Sequence, residues 1–108
     1  MRPQRRNGCV VYGLTDPDSD AIRYVGQTRL KPAQRLAWHV KEVRRRIAAS
    51  ERLSPAQQWI CSILVEQELP RMVILAADAE WDIAEAVWID RLRRAGARLL
   101  NVLSVVSD

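Results

Sequence analysis

Glu85 is the acidic residue whose neighbours suit it least. Stepping 100° per residue along a helix from Glu85 puts Trp81, Trp88, Ile89 and Leu92 within about 60° of it. The carboxylate therefore lies in an apolar stripe. A carboxylate aimed at a core costs several kcal/mol unless something compensates it. A bound divalent cation is one compensation, and a buried ion pair with an Arg is another. A third reading is a capping box over Asp82-Ile-Ala-Glu85, with the glutamate turned back on its own helix start. Arg35 and His39 stand four residues apart, as do Glu42 and Arg46. On a helix each pair shares a face, and the plain expectation is a solvated, ion-paired surface with His39 partly exposed. In Val10-Val11-Tyr12 and Tyr24-Val25-Gly26, strand alternation puts Tyr12 and Tyr24 on one face and Val11 and Val25 on the other. Two tyrosines on adjacent strands read first as cross-strand packing.

Positioning these groups requires six elements. Residues 1–8 form a basic tail ending in Asn7-Gly8. Cys9 to Thr15 reads as a strand and Asp16 to Asp20 as a turn. Ile22 to Gln27 then closes a hairpin. Pro32 opens a helix to Ala49, with Ala33, Leu36, Ala37, Val40, Val43 and Ile47 at helical spacing. Ser54-Pro55 caps and starts a second helix, which runs to about Glu68. Met72 to Ala76 is continuously apolar and reads as a central strand. Asp78 or Asp82 caps a third helix that runs to Ala95 and is stopped by Gly96. Leu99 to Leu103 packs back on the core. The order is β-β-α-α-β-α, an α+β arrangement in one domain over residues 1–108.

Taken together, these residues resemble the GIY-YIG nuclease superfamily. Val10-Val-Tyr12 and Tyr24-Val-Gly-Gln-Thr28 look like its paired strand motifs, Arg35-x-x-x-His39 like its first helix, and Glu85-x-x-Trp-Ile89 followed by Leu99-Leu-Asn101 like its glutamate-bearing helix and terminal Asn. The first motif lacks its Gly. The resemblance implies a small three-stranded antiparallel sheet flanked by helices. It also implies an endonuclease that hydrolyses phosphodiester bonds with one Mg²⁺ or Mn²⁺ held by Glu85. By the same resemblance Arg35 contacts phosphate, Tyr12 and Tyr24 belong to the active site, His39 is a polar site position, and Asn101 supports the site. Tyr12 or His39 would be the general base. A module that keeps this fold and binds nucleic acid without cutting it is the alternative.

Composition fits either reading. A net charge of +4 and a pI near 9.7 lean towards a polyanion, DNA above all. Of the 17 basic residues, all but Lys31 and Lys41 are Arg, whose planar fork matches phosphate. Cys9 and Cys61 have no zinc-site spacing and read as small core residues. No apolar run is long enough for a membrane span and no signal-peptide core follows the tail, so a cytoplasmic protein without a membrane partner is expected.

Overall fold

The computed structural model describes residues 8–101. Residues 1–7 and 102–108 lie outside that range, and with them most of the basic tail and the end of the apolar C-terminal stretch. Strands β1 (Gly8–Thr15) and β2 (Ile22–Thr28) form an antiparallel hairpin. Helices α1 (Pro32–Ala48) and α2 (Pro55–Val65) follow, then strand β3 (Arg71–Glu80) and helix α3 (Ala84–Arg94). The order and class are those expected: an α+β domain on a three-stranded antiparallel sheet. Gly8, read as the last residue of the tail, opens β1.

The sheet order is β2-β1-β3. The central strand is therefore β1, and the apolar run around Met72–Ala76 belongs to an edge strand. Continuous apolarity misled here. Met72 packs on one face of the sheet and Leu75 and Ala76 on the other, while Ile74 stays 51% exposed. What makes β1 central is its double pairing, with Tyr12 opposite Gly26 on one side and Ile74 on the other.

Side-chain alternation along β1 builds two cores. Tyr12 and Leu14 meet Val43 and Ile60 of the two long helices, joined by Tyr24, Leu36 and Met72. Val11 and Val25 meet Ala84, with Trp88, Ile89, Leu92 and Leu99 around them. Helices thus cover both faces, α1 and α2 on the tyrosine face and α3 on the valine face. Leu99 packs back on the core as expected. Both cysteines are free, Cys9 buried and Cys61 half-buried.

Local signals explain the helix ends that were read well. Ser54 accepts a hydrogen bond from the Gln57 amide while the Gln57 side chain accepts from the Ser54 amide, a reciprocal cap. Gly96 follows α3 with φ of +100°, a conformation that costs glycine little. The start of α3 differs from expectation. Its N-cap is Ile83, with no side-chain cap, so neither Asp78 nor Asp82 caps it. Trp81 and Asp82 lie in the preceding turn. α2 also ends earlier, at Val65, where the chain turns through Gln67 at positive φ.

Candidate active site

Tyr12 is completely buried, and its hydroxyl is the hub of the site. The cross-strand partner of Tyr12 is Gly26. A Cβ built on Gly26 would fall on the Tyr12 hydroxyl and 2.5 Å from its Cζ. The phenol ring therefore lies flat across β2, and only glycine leaves room for it. This carries the hydroxyl towards the outer edge of the sheet, where groups from both faces can approach it.

On that side α1 supplies two partners. The Tyr12 hydroxyl lies 2.6 Å from Nε2 of His39, and Nε of Arg35 donates to it at 3.1 Å. Arg Nε can only donate, so the phenol oxygen accepts from Arg35 and turns its own hydrogen to His39. Nε2 of His39 is then the acceptor, and the ring carries its hydrogen on Nδ1. Burial, with the Arg35 charge second, lowers the His39 pKa to about 4, so the ring is neutral as this pattern requires.

His39 is 8% exposed, which corrects the expectation of a partly exposed surface residue. Its neighbours explain why. Tyr12, Tyr24 and Trp38 surround the imidazole with ring centroids at 5.8, 5.5 and 5.3 Å. Ala33 and Ala37, read as part of the buried stripe, are exposed instead. α1 is thus turned so that its histidine, with Val40 and Val43, faces the sheet. The Tyr12 hydroxyl, buried on β1, finds its acceptor there. The Glu42–Arg46 pair is the ion pair expected, at 3.0 Å and shared with Arg45.

Tyr24 lies diagonally across the strand pair, with its ring centroid 6.5 Å from that of Tyr12. Burial pushes its pKa up to about 12, helped by Tyr12 and Glu85. Tyr12 is also shifted upward by burial, against the opposing pull of Arg35. Neither phenol is a standing phenolate at neutral pH.

Glu85 sits half-buried in the first turn of α3, the helix that covers the valine face, and is linked to the cluster by its charge. Burial raises its pKa and the Arg35 charge opposes the rise. The Glu85 charge is in turn felt by Tyr12, Tyr24 and Cys9. Among the described residues no hydrogen bond or ion pair engages its side chain, so it is neither a cap nor half of a salt bridge. It does not line the small cavity of about 160 Å³ that holds Tyr24, Arg35, Trp38 and His39.

Asn101 acts on the backbone. Its Oδ1 accepts from the Val25 amide at 2.9 Å and its Nδ2 donates to the Val25 carbonyl at 2.7 Å. One side chain thus copies the donor-acceptor pair of a neighbouring strand on the open edge of β2. It holds the residue between Tyr24 and Gly26. The Leu100 amide donates to the Arg23 carbonyl on the same edge.

A desolvated carboxylate without a partner fits a hard cation. Mg²⁺ keeps several waters and is commonly held by one or two carboxylates. Among the described residues no cluster of three or more His, Cys, Asp or Glu side chains forms, and Glu85 is the carboxylate that would hold a cation here. Trp38 was missed at the sequence level. The Arg35 guanidinium lies over its indole, 4.3 Å from the ring centroid. Its position next to His39 was the available signal.

Comparison of the chain with protein-family models, with curated proteins and with solved structures finds no match.

Proposed function

We propose that the protein is a metal-dependent endonuclease that hydrolyses phosphodiester bonds of nucleic acid, DNA in the first instance, at the cluster of Tyr12, Tyr24, Arg35, His39 and Glu85. One observation carries this reading. A buried Tyr–His–Arg hydrogen-bonded set shares its surroundings with a half-buried carboxylate whose pKa burial raises and which makes no hydrogen bond or ion pair among the described residues. Only solvent and the Arg35 charge oppose its desolvation, which suits an acid that takes up a cation. The motif resemblance supports the same assignment.

A divalent cation, Mg²⁺ or Mn²⁺, when held by Glu85 would polarise the phosphate and stabilise the leaving oxygen. The remaining steps belong to the chain. Arg35 spends Nε on Tyr12 and keeps its two terminal nitrogens for phosphate oxygens. Once substrate binding opens the buried Tyr12 hydroxyl to the attacking water, its oxygen would receive a proton from that water while its own proton passes to Nε2 of His39. A relay fits better than a free phenolate, because burial disfavours the Tyr12 anion and the neutral His39 presents Nε2 to its hydroxyl. The same burial and the Arg35 charge make His39 a weak base, so phosphate binding at Arg35 would have to offset that charge before the proton moves. Tyr24 walls the cluster and Asn101 holds its strand.

Supercoiled plasmid and single-stranded circles incubated with Mg²⁺ or Mn²⁺ test the proposal, beside EDTA and Glu85→Gln controls. Cutting is expected only with metal and wild-type protein. No cutting of either substrate with either metal overturns the enzyme reading. Cutting that survives Glu85→Gln overturns the site. Binding without cutting leaves the non-catalytic module.

A further inference from the structure

Trp38 is the one aromatic residue of the cluster that stays open, 44% exposed beside the buried His39. Burying it would be favourable, since an indole carries one of the largest apolar surfaces of any side chain. It is also held in place. The Arg35 guanidinium lies over it at 4.3 Å, and the His39 ring meets it at 75° with centroids 5.3 Å apart. Buttressing Arg35 would need only the covered part of the ring. A rigid, partly open indole beside an Arg whose terminal nitrogens make no hydrogen bond among the described residues is a different object. It sets a guanidinium that can contact phosphate against a partly exposed indole, 4.3 Å from its centroid, the pairing of charge and aromatic surface by which proteins hold single strands.

We infer that Trp38 is a stacking platform for one unpaired base of the strand whose phosphate Arg35 holds, so that the site takes single-stranded or frayed nucleic acid in preference to continuous duplex. This rests on the nuclease reading above and names its substrate class. The geometry explains the preference. In a duplex both faces of each base are covered by its neighbours, and an indole fixed on α1 meets a base face only after that base leaves the stack. A single strand offers its base faces without that cost. Because the indole is already pinned by Arg35 and His39, little side-chain freedom remains to be lost on binding.

Binding is measured without metal in Glu85→Gln protein, which separates this inference from catalysis. The probes are a labelled 12-nucleotide single strand and the matching duplex. Adding Trp38→Ala is expected to weaken single-strand binding about 5- to 150-fold, the range for losing one stacked base, with a much smaller effect on duplex. Trp38→Phe, which keeps an aromatic face, is expected to recover most of the loss. Single strand is also expected to quench indole emission in Glu85→Gln protein, and the Trp38→Phe background should lose that component. A buttress acting only through Arg35 would weaken both probes equally and leave the quenching in place. That result, no change, or no binding of either probe overturns the inference. If wild-type protein cuts DNA while Trp38 variants keep the same substrate preference, only the stacking role falls. If no substrate is cut yet the Trp38 effects appear, the hydrolase reading falls and the stacking surface stands.

Discussion

At the scale of single residues, the site is a balance of desolvation against compensation. Glu85 is held above the ordinary carboxylate range by burial. Its protonated form is favoured in the fold, so stability is greatest below the unfolded-state pKa and falls as pH rises through the folded value. At neutral pH the metal-free carboxylate is a net cost. Glu85→Gln is therefore expected to raise the melting temperature without metal while lowering cleavage at least about 100-fold. Mg²⁺ or Mn²⁺ should raise the melting temperature of the wild type and not of the variant. His39 has the opposite linkage. Its pKa falls from 6.5 unfolded to about 4 folded, so the unfolded chain binds the extra proton between those values. Stability is full above about 6.5 and lost as pH falls towards 4. His39→Gln is expected to remove up to about 3 kcal/mol of that pH dependence, read from denaturant unfolding at pH 4.5 and 7.

At the scale of elements, β2 carries Tyr24 and Gly26, and no strand among the described residues pairs with its outer edge. Asn101 substitutes for that strand at Val25. Asn101→Ala leaves a donor and an acceptor without partners and is expected to cost about 1–3 kcal/mol. Asn101→Asp keeps the acceptor for the Val25 amide but sets a carboxylate against its carbonyl, so it should recover little. Loss of activity beyond the loss of folded protein would show that the strand register positions Tyr24 and Gly26. α1 shows the limit of periodicity. Its apolar spacing marks a stripe through Ala33, Ala37 and Val40. The helix is nonetheless turned to bury His39, because the sheet presents a phenol hydroxyl that needs an acceptor.

At the scale of the whole molecule, charge sets the partner and geometry sets the place. The chain carries +4, but the ion pairs of Glu42 with Arg45 and Arg46, and of Asp90 with Arg94, engage part of its Arg content. Among the described residues the Arg35 terminal nitrogens enter no hydrogen bond or ion pair. Binding to single-stranded DNA is expected to weaken with salt, with a log–log slope of roughly −0.7 per phosphate contacted. Arg35→Leu should reduce the size of that slope by about one contact, whereas Arg94→Leu should leave it unchanged. Equal slopes in both variants would remove Arg35 from the phosphate path. No helix among the described residues is long and apolar enough to cross a membrane.

The sequence by itself determined the order of elements, the split of tyrosines and valines between two faces, the Ser54 cap, the Gly96 stop and the misfit of Glu85 in an apolar stripe. Each of these is a local pattern of period two or 3.6, or a single residue with special backbone chemistry, and such patterns do not depend on distant partners. The tertiary structure alone decided that β3 is an edge, that His39 is buried against Tyr12, and that Asn101 completes β2. It also put Trp38 beside Arg35 at the rim of the cluster. These outcomes depend on which distant group lies across a strand or helix. A hydroxyl, an amide or a carboxylate acquires its role from the partner it meets, 27 residues away for Tyr12 and His39 and 76 for Val25 and Asn101.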